Sequence, residues 1–102
     1  MHPGFGLVVR FTLSEGSEGA FDALAAQTLD GIRAAEPGTA LYVTHRVPGE
    51  PSVRVFYELY EDRAAFEAHE AQPYVQHFLR ERERYVDRTE VTFLAAVDGK
   101  LQ

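Results

Sequence analysis

The 102-residue chain contains no cysteine, which removes disulfides, thiol catalysis and thiolate metal sites together and fits a reducing compartment. It has no apolar run near the roughly 20 residues needed to span a membrane. It also lacks an excess of positive charge. The formal net charge is −6, so nothing suggests a phosphate-binding surface. Arg80, Arg82 and Arg84 alternate with Glu81 and Glu83, the pattern of a solvated helix face, and nucleic acid is not an expected partner. The first residues, Met1-His2-Pro3-Gly4-Phe5, show no basic region followed by an apolar stretch. No signal peptide is therefore expected, and the cytoplasm is the expected compartment. No low-complexity stretch divides the sequence, and residues 1–102 read as one domain.

What is present is patterned. Phe5, Leu7, Val9, Phe11 and Leu13 recur with period two, which predicts a strand with one fully apolar face. Ser14-Glu15-Gly16-Ser17 breaks it, with Ser17 placed to cap a helix through its hydroxyl. Phe21, Leu24, Ala25, Thr28, Leu29 and Ile32 then follow at helical spacing. Glu36-Pro37-Gly38 stops that helix. Two strands follow, joined through Pro48-Gly49-Glu50-Pro51. The first alternates Leu41, Val43, His45 and Val47 with Tyr42, Thr44 and Arg46. The second alternates Val53, Val55, Tyr57 and Leu59 with Arg54, Phe56, Glu58 and Tyr60. Asp62 suits the N-cap of a short helix carrying Ala65, Phe66 and His69, and Pro73 the first position of another. A last strand is predicted from about Thr89 to Val97.

Strand, helix, hairpin, helix, strand is the βαββαβ order of ferredoxin-like α+β folds, with a four-stranded antiparallel sheet. The helices are expected over the odd-numbered face. The even-numbered face then carries Val8, Tyr42, Phe56, Tyr60 and Leu94 beside Arg10, Arg46, Arg54 and Glu58. Monomers rarely leave such a patch in water, so a second copy is expected over it, with two-fold symmetry.

Histidine is the side chain that titrates unperturbed near neutral pH. His45 falls on the odd face of its strand, as does Tyr57 across the hairpin. His69 shares the inward face of Phe66, and the direction of His77 is ambiguous; His2 is terminal. His69, His45 and Tyr57 are thus the candidate catalytic group. A histidine can remove a phenolic or enolic proton while tyrosine holds the oxyanion. Val9 and Phe11 on the first strand, with Phe66, Tyr74 and Phe78 on the helices, are the candidate substrate-binding residues. The histidines lack metal-ligand spacing, so no metal is expected. No serine elbow is present, and no GxGxxG follows a strand, leaving flavin and nicotinamide without a sequence signal.

Two stretches carry a family likeness. Glu36-Pro37-Gly38 with Tyr42, and Tyr57-Glu58 followed by Tyr60, Asp62, Ala65 and His69, resemble signature segments of the antibiotic biosynthesis monooxygenase family. The resemblance implies a dimeric α+β barrel with His69 as the signature histidine. It also implies cofactor-free oxidation of a small phenol, quinol or polyketide-like substrate by dioxygen. The chain departs from the family in having Tyr60 where tryptophan is usual. It has no asparagine or tryptophan at all, the pair used by anthrone-type members. The haem-degrading branch has an asparagine where this chain has Val9, and an axial histidine near Leu79. A polyketide-type cyclase or isomerase on the same barrel, or a non-catalytic small-molecule-binding dimer, are the alternatives.

Overall fold

The computed structural model describes residues 4–100; His2 lies outside them. The elements are β1 (Phe5–Leu13), α1 (Glu18–Ala35), β2 (Thr39–Val47), β3 (Glu50–Tyr60), α2 (Arg63–Glu70), α3 (Pro73–Glu81) and β4 (Val86–Ala95), with a short 3₁₀ turn at Arg82–Arg84 before β4. The four strands form one antiparallel sheet in the order β2-β3-β1-β4. This is the ferredoxin-like α+β arrangement expected, with its second helical segment broken in two. Gln72 is extended and Pro73 opens α3, because proline cannot donate into a continuing helix.

Local chemistry sets most boundaries. Asp62 Oδ1 accepts from the Ala65 amide at 2.8 Å and caps α2. The hairpin turns at Pro48-Gly49 alone, where Gly49 has φ +84°, and Glu50 and Pro51 of the expected connection already belong to β3; proline followed by a positive-φ glycine is the type II pattern. Ser17 sits at the start of α1 but does not cap it through its side chain. Its hydroxyl bonds instead to Ser14 Oγ at 2.8 Å. β4 begins three residues earlier than predicted and ends at Ala95.

One correction alters the whole picture of the sheet. Leu7, Val9, Phe11 and Leu13 are buried beneath the helices, as expected. Opposed residues on antiparallel strands share a face, and β3 faces β1 with Tyr60 opposite Phe5, Glu58 opposite Leu7, Phe56 opposite Val9 and Arg54 opposite Phe11. The even set of β3 therefore lies inside. Tyr42 opposite Glu58 and Thr44 opposite Phe56 carry β2 the same way. Tyr42, Phe56 and Glu58 thus belong to the covered side, and His45 and Tyr57 to the open one. The odd set of β3 is apolar throughout and the even set only half so, and its own period therefore points to the wrong face; register with β1 decides.

The core is an aromatic cluster. Phe11, Phe21, Phe56 and Phe78 pack with ring centroids 4.8–6.3 Å apart, many of them tilted or edge-on as the ring quadrupole prefers. Buried Arg54 joins β3 to α1 through a two-pronged bond to Asp22 at 2.8 and 3.1 Å. α1 approaches α3 at Gly31, where an added Cβ would lie 2.6–2.8 Å from the Tyr74 ring.

Gly31→Ala should therefore destabilise the fold by about 1–3 kcal/mol through overpacking, overriding the roughly 0.5–1 kcal/mol that alanine normally gains over glycine in a helix. Gly19→Ala, with open space around the new methyl, should leave stability unchanged or raised. Urea midpoints of the two variants check the contrast.

Candidate functional site

A cavity of about 130 Å³ opens between the covered face of the sheet and α2 and α3. Leu7, Val9 and Phe11 of β1 form its floor, and Phe66, Val75 and Phe78 its helical wall. Tyr42, Glu58 and His69 bring polar groups into it, and Arg82 closes one side. A hollow of about 250 Å³ also lies between α1 and β2. Its buried cation, Arg54, is already engaged by Asp22 and by the carbonyls of Pro51 and Val53.

His69 is fixed from behind. Its ring is 4% exposed, and Nδ1 lies 2.8 Å from Oε1 of Glu36, whose side chain is 5% exposed. The same carboxylate accepts from Thr39 Oγ1 at 2.7 Å and from the Tyr74 hydroxyl. A carboxylate surrounded by donors is an acceptor only, so the proton of this bond sits on Nδ1. In the neutral ring Nε2 is then the free nitrogen, held in orientation as an outer carboxylate holds a metal-bound or catalytic histidine. Burial, the bond to Glu36 and the charge of Glu36 raise the Tyr74 hydroxyl above its ordinary range, so it serves as a donor.

Glu58 faces that free nitrogen. Its Oε1 is 3.9 Å from His69 Nε2, too far for a hydrogen bond but near enough for both to reach one ligand atom. The Tyr60 hydroxyl donates to Oε1 at 2.6 Å. Burial pushes the Glu58 carboxyl up to about 7, with the Tyr60 bond opposing, Glu70 and Glu36 adding to the rise, and Arg82 opposing it. Burial and the Glu58 charge raise Tyr60, and burial, Glu58 and Glu36 raise Tyr42; both stay phenols at neutral pH. The site therefore holds an oriented imidazole and a carboxyl poised at neutrality, facing an apolar space. That combination suits moving a proton on or off a small ligand.

The residues singled out in the sequence divide. Val9, Phe11, Phe66, Phe78 and His69 meet at this cavity. Tyr74 stands behind it and holds Glu36. His45 and Tyr57 do not converge with His69: they project from the other side of the sheet, and exposed His45 places Nδ1 3.0 Å from the Val55 carbonyl. The expected three-residue cluster is replaced by His69, Glu36 and Glu58. His77 is exposed. Glu36 carries two signals in the sequence, the helix stop and the family likeness, neither of which shows that its carboxyl turns inward; Glu58 belongs to the even set of β3, which is expected to be open and is the covered one. The available signal for Glu58 was an acidic residue alternating with Phe56 and Tyr60 in an otherwise aromatic set.

Glu58 imposes a pH dependence on stability. Below about pH 4.5 its carboxyl is protonated in folded and unfolded chains alike; between about 4.5 and 7 only the folded chain keeps the proton. Its contribution is therefore intact below the unfolded value and is lost as pH rises toward 7, by roughly 3 kcal/mol at 1.36 kcal/mol per unit. Glu58→Gln should remove most of that slope. Denaturant unfolding of both proteins at pH 4.5, 6 and 7.5 measures it.

Among curated proteins none matches the chain. Solved structures do. A Shewanella oneidensis protein superposes with a TM-score of 0.82 at 27% identity, over 88% of this chain and 87% of that one. A Mycobacterium tuberculosis protein gives 0.86 at 24%, over 93% and 96%. A Pseudomonas aeruginosa protein gives 0.84 at 22%, over 95% and 96%. At these identities the likeness speaks for the fold. The sequence pattern of one family spans residues 4–81, which include every residue of the His69–Glu36–Glu58 cluster. The chain belongs to the antibiotic biosynthesis monooxygenase family.

Proposed function

We propose that this protein is a cofactor-independent monooxygenase of a single-ring quinol or related phenol. The observation that carries the reading is the Glu58 carboxyl, held near neutrality opposite His69 Nε2 in an apolar cavity. The space of about 130 Å³ compares with the roughly 150 Å³ cavity that holds benzene. One ring fits; further rings must project through the mouth past Val91 and Phe93.

His69 Nε2 takes the proton of a ring hydroxyl, and the Glu58 carboxyl takes or returns a proton beside it. Loss of the proton raises the electron density of the ring enough for it to reduce dioxygen directly. For a hydroquinone the balance closes without another reductant. The ring gives up four electrons, one oxygen atom becomes a new ring hydroxyl on the resulting quinone, and the other leaves as water.

A second copy completes the proposal. The open sheet face carries Val8, Val55 and Tyr57 with Val43 and Leu94 exposed, and a self-complementary pairing would cover it. Leu94→Arg should then sediment as a monomer where the parent chain sediments as a dimer.

Oxygen uptake by the purified, metal-free protein on a panel of single-ring hydroquinones tests the chemistry. The expected result is uptake with hydroxyquinone formation, reduced about 10²–10⁴-fold in kcat by His69→Ala or Glu58→Gln. No uptake across the panel, or rates untouched by both variants, would overturn it.

A further inference from the structure

The cavity has two polar ends. His69 and Glu58 occupy one, at the level of Leu7 on β1. At the other, the Arg82 guanidinium stands 5.8 Å over the Phe11 ring centroid. Arg82 follows the last turn of α3, and it is the cation among the cavity-lining residues.

Arg82 is unusual among the arginines of the chain. Arg10, Arg33, Arg54, Arg63, Arg84 and Arg88 each have a carboxylate within 4 Å. Arg46, Arg80 and Arg82 have none among the described residues. Arg46 and Arg80 are exposed, as solvated cations should be, whereas Arg82 is half-buried. Of its two neighbours in sequence, Glu81 is 3.5 Å from Arg84 instead and Glu83 is exposed. A half-buried guanidinium over an aromatic face, with no carboxylate partner among the described residues, is suited to a planar anionic oxygen pair, which it can bind in a fork.

Its charge also reaches the other end. Arg82 opposes the upward shift of both Glu58 and Tyr42, so a negative charge in the intervening space lies within its field. Glu58 keeps its proton up to about pH 7 and so does not repel such a ligand below neutrality; half-buried Glu70 also lines the cavity, and Arg82 is the group that offsets its charge.

We infer that Arg82 selects the ligand, and that the cavity takes a single-ring hydroxyarene bearing a carboxylate, with its hydroxyl at His69 and Glu58 and its carboxylate at Arg82. This deepens the reading of the cavity as a substrate site and rests on it. It does not rest on dioxygen, and binding alone can decide it. The ring lies between the Phe78 and Val9 walls, and the two substituents are held at opposite ends. One end carries the charge and the other the exchangeable proton.

The test compares 4-hydroxybenzoate with 4-hydroxybenzamide, which share shape and hydroxyl but differ in charge. Titrations at pH 6.5, followed by calorimetry and by amide chemical shifts of the labelled protein, give affinities and location. Parent protein should prefer the benzoate at least tenfold, with shifts centred on Phe11, Phe78 and Val91. Arg82→Gln should bring the two ligands within twofold of each other while leaving the amide's affinity in place. Arg80→Gln, equal in charge change but exposed, should keep the tenfold preference. Equal binding by the parent protein, no binding of either ligand, or a preference that survives Arg82→Gln would overturn the inference. Oxygen uptake on neutral quinols with no benzoate preference would overturn it while sparing the oxygenase reading. Benzoate preference without uptake would do the reverse.

Discussion

The buried carboxylate of Glu36 is the constraint on which the site depends. It sits where α1 ends, its own amide still bonded to the Ile32 carbonyl, and it gathers donors from three other places: Thr39 opening β2, His69 on α2 and Tyr74 on α3. Removing a carboxylate from water is costly unless its lone pairs are satisfied, so these bonds are obligatory once the side chain turns inward. Four elements, drawn from two stretches of the chain thirty or more residues apart, are thereby brought to one point. The orientation of the His69 ring follows from that arrangement, as does the closeness of α1 to α3, for which Gly31 leaves room.

The element order was legible because it depends on local signals. Period two in Phe5–Leu13, the Glu36-Pro37-Gly38 stop, the Pro48-Gly49 turn and the Asp62 cap act over a few residues, and each is found where the sequence placed it. The orientation of β3 is a different kind of fact. Val53, Val55 and Tyr57 are as apolar as Phe56 and Tyr60, so the choice of face was made by pairing with β1, some fifty residues away in sequence. The inner face tolerates Arg54 and Glu58 because Asp22 and Tyr60 satisfy them. No periodicity reports such long-range compensation.

The same limit explains the mixed fate of the site residues. His69 was readable from its spacing to Phe66, and the apolar lining from strand and helix patterns. Glu36 and Glu58 acquire their character only from burial against other segments. A glutamate in a turn and a glutamate in a strand look like solvent-facing residues until the fold brings Tyr74 and Tyr60 to them. Their acid–base behaviour belongs to the tertiary structure.

The mouth of the cavity lies along β4, an edge of the sheet, and this carries a cost. Val91 and Phe93 are 47% and 58% exposed there, so the strand that borders the cavity also offers an apolar, unpaired backbone edge to any passing chain. Edge strands are commonly guarded by charge. Here Asp87, Arg88 and Glu90 crowd the first half of β4, with Arg88 and Glu90 3.5 Å apart, while Val91–Ala95 carries no charge. Solubility and access to the cavity thus compete over five residues, and a ligand or a second chain that shields them relieves the same aggregation hazard.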